Sequence, residues 1–333
     1  MRVQTLFIGV IDSGLSMPKL KQRLTNRIYC HGLEIGLPYR LLSGFAEMLD
    51  VLEQPQDYFR RRRAAKALLA GSRRREFMPR NSGFCRFSAG ELAGFDRLTE
   101  IAQEIYHERE QSIPTLKQDG ALSPMALLLN SGDFDRWPEI LEIALGRDLI
   151  EIVCDYLGAV PQLDNIDLWV SRPNVRPEGP YGSQLFHLDK PDRHYLSIFL
   201  NVFDVGEENG PFSFFPAPET SEICDQTAYV RHYYLGDGRL DDQVVFSASK
   251  KENMIGFVGS QGGGGMVDTS KCLHFGSRCE AGQRVLFVIS FLPAHKPGSS
   301  GGEKLAQAAA KWAGGGSDIL SATRRMLVNR YNA

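Results

Sequence analysis

The spacing of apolar residues changes character near residue 160, and that change constrains the fold more than any single motif does. Before it the spacing is helical. "SAGELAGFDRLTEIAQEIYHERE" places Leu92, Phe95, Leu98, Ile101 and Ile105 on one stripe, with Ser88 expected as N-cap and Glu91 three residues later as its capping-box partner. "RWPEILEIALGRDLIEIVCDYLG" (136–158) is a second striped region, with Pro138 expected near a first turn and Gly158 as a C-cap. After the change, the apolar runs shorten to strand length: 165–173, 194–205, 210–217, 244–248, 254–259, 265–276 and 283–293, punctuated by Gly, Pro, Asn and Asp. No helical stretches alternate with these runs, which argues against a parallel βαβ sheet. Helices first and strands afterwards predict an α+β chain, a β-sandwich or jelly-roll barrel buttressed by N-terminal helices.

At 333 residues the chain is one large domain or two smaller ones. Its 38 basic and 40 acidic side chains leave a net charge of −2, so no overall field favours nucleic acid or a membrane surface. The arginine-rich segment "YFRRRRAAKALLAGSRRREF" (58–77) is expected to be a short basic helix. No aromatics interleave with its arginines as single-strand binding requires, which favours a solvated helix face or an arm packed on the main domain. The six cysteines (Cys30, Cys85, Cys154, Cys224, Cys272, Cys279) form no C-x-x-C pair. Reduced thiols in a cytoplasmic protein are therefore expected. "MRVQTLFIGVID" lacks the features of a secretory signal, and no run approaches the roughly 18 apolar residues that span a bilayer. The expected organisation is an extension over 1–80, the main domain over 81–295, and a Gly/Ser-rich linker with C-terminal helices over 296–333.

Within the strand-rich half, "SQLFHLDKPDRHYLSIFLNV" (183–202) places His187 and Asp189 two residues apart at the mouth of an apolar run. Residues i and i+2 of a strand share a face, so the imidazole and carboxylate project together. His274 lies 87 residues downstream in "VDTSKCLHFGSR", and Arg284 opens the apolar strand "RVLFVISF". The turn-like "FGSRCEAGQ" between them suggests that these two strands pair as neighbours. An inward Arg284 shares its side with Leu286, Val288 and Ser290, and a buried guanidinium requires a carboxylate from the protein or from a ligand. Two histidines and one carboxylate form the facial triad of non-haem iron(II) oxygenases, and an arginine beside the distal histidine can hold the remote carboxylate of a 2-oxo acid. His194 is the alternative to His187, and Arg278 the alternative to Arg284.

With these motifs in order, the stretch from about 150 to 293 resembles the phytanoyl-CoA dioxygenase-like branch of the Fe(II)/2-oxoglutarate-dependent dioxygenases. The resemblance rests on "FHLD", "DVGEENGPF", "DTSKCLH" and the downstream arginine. It implies a double-stranded β-helix, a jelly-roll, cupin-like core. It implies iron ligation by His187, Asp189 and His274, with Arg284 on the C5 carboxylate of 2-oxoglutarate. The family arginine usually follows the distal histidine by ten or eleven residues, and here the spacing is 284 − 274 = 10. Family members commonly carry a lysine on the strand after H-x-D, where this chain has Ser197. Ser197, Phe199 and Asn201 alternate onto one face and are candidates to line the pocket, and Gln184 is a candidate co-substrate contact. The implied reaction is hydroxylation of a small organic molecule, consuming O2 and 2-oxoglutarate and releasing succinate and CO2. A carboxylate at Asp189, in place of glycine or alanine, favours hydroxylation over halogenation. Two other classes compete: a cupin-like metalloprotein using the same ligands without 2-oxoglutarate, and a binding module that uses segment 58–77.

Overall fold

The computed structural model describes residues 55–115, 117–118, 121–122, 125–173, 179–189, 194–229, 232–233, 236–293, 302–312 and 316–328, with Leu41, Met48 and Val51. Cys30, His31, His295 and the Gly/Ser stretch 296–301 lie outside them. Thirteen strands are described: β1 Phe84–Phe87, β2 Lys117–Gln118, β3 Ala121–Leu122, β4 Met125–Leu127, β5 Gln162–Ser171, β6 Phe186–His187, β7 Leu196–Asn201, β8 Ser213–Phe214, β9 Arg239–Leu240, β10 Ile255–Gly256, β11 Gly264–Asp268, β12 His274–Phe275 and β13 Arg284–Leu292. A six-stranded major sheet runs β1-β11-β7-β13-β5-β4 and a five-stranded minor sheet runs β10-β8-β12-β6-β9. Every pairing in them is antiparallel.

Period-two alternation explains how the major sheet is buried on both faces. Ile198 and Leu200 of β7, and Val285, Phe287, Ile289 and Phe291 of β13, point to one side. There they join Ala65 and Leu68 of the helix Pro55–Leu68, Leu98, Ile101 and Ile105 of Phe95–Arg109, and Ile150, Val153 and Cys154 of Arg147–Leu157. Leu305, Ala309, Leu327 and Val328 near the C-terminus pack into the same cluster. Phe199 and Leu286 point the other way, into a cluster with Phe212, Phe214, Phe257 and Val267 that closes the two sheets on each other. The outer side of the minor sheet carries Phe186, Leu240 and Phe275, covered by Ile223 and Val245 from the helices Ala217–Gln226 and Asp242–Ala248.

Several local expectations are corrected. The Glu91 carboxylate does accept the Ser88 N–H (2.9 Å), yet the helix begins only at Phe95, because Gly90 and Gly94 both take left-handed backbone and interrupt it. The region 136–158 holds two short helices, Glu139–Ala144 and Arg147–Leu157, separated at Gly146 and set off from the turn of helix Asp133–Arg136 at Trp137–Pro138; Gly158 caps the last one in the left-handed region. "VVFSA" (244–248) is helical, because the Asp241 side chain accepts the Val244 N–H (2.8 Å) as an N-cap and outweighs the weak strand preference of two valines. Most consequentially, β12 and β13 do not pair. His274 is in register with His187 and Phe214 of the minor sheet, whereas Arg284 faces Ser171 of the major sheet. Residues 276–283 cross between the sheets, with Ser277 and Gly282 at positive φ, instead of forming a hairpin.

The arginine-rich segment is divided. Arg61 is buried, pairs with Asp57 (2.7 Å) and donates to the carbonyls of Val160, Pro161 and Met326. Arg74 pairs with Asp148 at 2.5 Å, while Arg60, Arg62 and Arg63 stay exposed. The five described cysteines are free. No helix of the described residues is long and apolar enough to cross a membrane.

Candidate metal centre

His187 ends β6 and His274 begins β12, and the register places them side by side, with ring centroids 4.4 Å apart. Asp189 follows β6, and its N–H donates to Thr269 O (3.0 Å). Its carboxylate reaches both rings: Oδ1 lies 3.8 Å from His187 Nε2 and Oδ2 lies 3.5 Å from His274 Nε2. One ligand atom from each of the three residues lies within 4.8 Å of the others.

Hydrogen bonding sets the tautomers. His187 Nδ1 lies 2.8 Å from Leu185 O and His274 Nδ1 lies 2.9 Å from Cys272 O. A carbonyl only accepts, so each Nδ1 carries the proton and each Nε2 lone pair is directed at Asp189. Burial, reinforced by His187 and opposed by Asp189, pushes His274 down to about 4, so its imidazole is neutral at physiological pH. Neutral imidazoles and a hard carboxylate form the donor set that suits a divalent first-row metal such as iron(II). The site opens on the aspartate side: the Asp189 side chain is 39% exposed, against 4% for His274. Phe212 lies against His274 (centroids 5.2 Å apart) and stacks on Phe199 at 4.0 Å, forming an apolar wall.

Arg284, the first residue of β13, is buried inside the barrel. Its Nη1 donates to Gly210 O, and its Nη2 donates to Ser171 Oγ (3.0 Å) and Ser277 Oγ (3.3 Å). Its Nε is buried with no partner among the described residues. Burial pulls the guanidinium down to about 10, slightly offset by Cys279, so it remains a cation at neutral pH. A buried cation with an unanswered N–H and no carboxylate bonded to it among the described residues is costly, and a ligand carboxylate would relieve that cost. Ser277 takes φ 61, an unfavourable conformation for a residue with a Cβ, and thereby holds its hydroxyl on both Arg284 and Ser171.

The other candidate residues are placed as follows. Ser197 faces the interior, with its hydroxyl 2.9 Å from that of Ser290. Asn201 is buried, its Nδ2 is 3.5 Å from Phe257 O, and its Oδ1 has no partner among the described residues. Gln184 is buried and donates to Ser277 O (2.8 Å), supporting the turn beneath Arg284. His194 is not brought to the triad; its Nδ1 lies 2.5 Å from Asp268 Oδ2. Arg278 is engaged by Asp242 (2.7 and 2.9 Å) and lies over the Phe275 ring.

Sequence reasoning missed Ser171 and Ser277, and it missed the polar wall beyond Tyr195. A register shift between Ser290 and Phe291 places a bulge in β5, so Asp164 and Asn165 occupy successive positions there. Asp164 accepts the Tyr195 hydroxyl proton (2.8 Å), and Asn165 Nδ2 is 3.5 Å from the same oxygen. Burial, then Asp164 and Asp189, raise the Tyr195 phenol well above its ordinary value. Burial also raises Asp167 to about 6, with Asp164 adding to the shift and a bond from Trp169 opposing it.

No family model matches the chain, and no curated protein matches it. Similar solved structures exist. SnoK, a non-haem α-ketoglutarate-dependent carbocyclase from nogalamycin biosynthesis, is 13% identical over 72% of this chain and 92% of its own, with a TM-score of 0.42. AviO1 from Streptomyces viridochromogenes Tue57 is 14% identical over 66% and 94%, with a TM-score of 0.43. EctD from S. alaskensis with bound Fe is 12% identical over 66% and 75%, with a TM-score of 0.44. These three TM-scores lie below 0.5, and the likeness assigns no chemistry to this chain.

Proposed function

We propose that the chain is an Fe(II)- and 2-oxoglutarate-dependent oxygenase of the phytanoyl-CoA dioxygenase-like branch, hydroxylating a small organic molecule. One observation carries the reading. His187, Asp189 and His274 converge with both Nε2 atoms turned to one carboxylate, inside a barrel that also buries an arginine with an unanswered N–H. Iron bound there supplies oxygen activation coupled to oxidative decarboxylation of the 2-oxo acid. The protein's part is positional. Leu185 O and Cys272 O fix the two rings, and the Asp189 carboxylate completes a three-ligand face. Arg284, steadied by Gly210 O, Ser171 and Ser277, binds the far carboxylate of the co-substrate. Phe199 and Phe212 exclude water beside His274. Ser197 and Asn201 line the interior, where Asn201 Oδ1 offers a buried acceptor to a bound molecule.

A cupin-like metalloprotein working without 2-oxoglutarate needs no buried arginine with an unanswered N–H inside the barrel, so Arg284 favours the oxygenase. Anaerobic addition of Fe(II) and 2-oxoglutarate tests the reading. Wild-type protein is expected to develop a weak visible charge-transfer band that requires both additions and is absent in His187→Ala. No band in the wild type overturns the proposal. Iron binding that 2-oxoglutarate leaves unaffected supports the cupin-like alternative.

A further inference from the structure

We propose that Asp268 and His194 are positioning residues, a buried latch that holds the segment bearing Asp189 against the turn bearing His274. The proposal rests on the metal reading above. Asp268 ends β11 and is fully buried. Its Oδ2 lies 2.5 Å from His194 Nδ1 and accepts the Tyr156 hydroxyl proton at 2.8 Å. Its Oδ1 accepts from Ser270 Oγ (2.6 Å), the Ser270 N–H (3.2 Å) and the Tyr195 N–H (3.3 Å). Five donors therefore converge on one carboxylate. Burial alone would raise it, but His194, Lys271 and Ser270 outweigh burial and hold it at about 2. The His194 ring also packs edge-on against Tyr156, with centroids 5.8 Å apart.

The latch is one step from each ligand. On one side, Thr269 N–H donates to Tyr195 O (2.8 Å), and Thr269 O accepts the Asp189 N–H. On the other side, the N–H groups of Lys271 and Cys272 both donate to Asp268 O (2.9 Å), closing a turn whose Cys272 O orients His274. The Asp268 carboxylate thus holds His194 and the Tyr195 N–H against Ser270, while the main chain of the same short run, Thr269 O and Asp268 O, carries the bonds to Asp189 and to the turn before His274. Outer-shell partners of this kind tune metal affinity by about 10- to 100-fold.

The test uses full-length protein and Co(II) alone as the probe, with anaerobic visible absorption titrations and amide hydrogen exchange of the metal-free protein across Asp189. In His194→Ala the Co(II) dissociation constant is expected to rise threefold or more and the Asp189 amide to exchange faster, with far-UV circular dichroism unchanged. His194→Gln, which keeps a donor for Asp268, is expected to recover most of the affinity. Asp268→Asn should behave as His194→Ala does; if it fails to fold, the His194 pair decides alone. A folded His194→Ala that binds Co(II) within threefold of wild type overturns the latch and leaves the metal reading standing. Failure of the wild type to bind Co(II) sinks the metal reading instead. The exchange measurement then decides the latch, and an unchanged Asp189 amide in His194→Ala overturns it.

Discussion

His187 and His274 are register partners across two two-residue strands, so neither imidazole is placed without the other's backbone. Each ring takes its tautomer from the carbonyl two residues before it in its own segment. Removing either ring should therefore abolish metal binding while leaving the partner's orientation intact. His187→Ala and His274→Ala are each expected to weaken Co(II) or Fe(II) binding by more than about 100-fold, beyond the range typical of outer-shell changes. Equilibrium titration checks this, and near-wild-type affinity in either variant would refute the ligand assignment.

On the proposed reading, Arg284 serves the co-substrate and not the metal, so the two bindings can be separated there. Charge-assisted hydrogen bonds contribute about 1.5–3 kcal/mol each. Arg284→Gln is accordingly expected to raise the 2-oxoglutarate dissociation constant by about 100-fold, with Co(II) affinity little changed. Arg284→Lys keeps the charge but loses the planar fork, and should fall between the two. Calorimetric titration of the Co(II)-loaded variants measures both quantities.

Asp167 makes a prediction about stability whose sign is opposite to that of most carboxylates. Its folded value of about 6 lies above its ordinary 3.8, so the native state holds the proton more tightly than the unfolded chain does. Its contribution is fully present below pH 3.8 and is lost as the pH rises through 6. Asp167→Asn should therefore stabilise the protein above pH 6 by up to about 3 kcal/mol, at 1.36 kcal/mol per unit, and by little at pH 4. Urea denaturation at the two pH values checks this, and destabilisation at pH 8 would show that the carboxylate has a favourable partner.

His274 acts in the reverse direction. Its folded value of about 4 lies below the ordinary 6.5, so the unfolded chain takes up a proton that the native imidazole refuses. Metal-free protein should lose up to about 3 kcal/mol from this group as the pH falls from 6.5 to 4. The losses from His274 and Asp167 run in opposite directions over overlapping ranges, so each masks the other in the wild type. In an Asp167→Asn background the acid-side loss should appear, and His274→Gln should remove it.

Gly210 links the connection between β7 and β8 to the arginine. It sits at φ +67, and a Cβ there would lie 2.4 Å from the backbone of Arg278. Its carbonyl is the acceptor for Arg284 Nη1. Gly210→Ala is expected to cost about 2–4 kcal/mol from the unfavourable φ and the overlap together. It should also weaken 2-oxoglutarate binding more than metal binding. Chemical denaturation and the same two titrations separate these effects.

What was legible in the sequence follows from strand alternation. β6 ends at His187, and Asp189 is placed beyond it by its N–H on Thr269 O rather than by alternation, whereas the inward set Arg284, Leu286, Val288, Ser290 is fixed once β13 is known to be a strand. The apolar positions between them face the helical layer as the period requires. What could not be read depends on register between distant strands. Ser171 reaches Arg284 across 113 positions, and the pairing of His194 with Asp268 spans 74. The bulge at Asp164 and Asn165 leaves no local mark, and neither does the choice of the 276–283 segment to change sheets. The helix at 242–248 was hidden because valines at its centre carry a strand preference that one capping aspartate overrides.

That change of sheet has a consequence for what the pocket can measure. The distal imidazole and the guanidinium hang from opposite layers, yet one short tether, residues 276–283, joins them. On the proposed reading, the tether therefore works as a caliper between the metal-binding face and the cation that would take the far carboxylate of the diacid. If that reading holds, lengthening or shortening it by a single residue would alter which diacid spans the two jaws while leaving both jaws chemically intact.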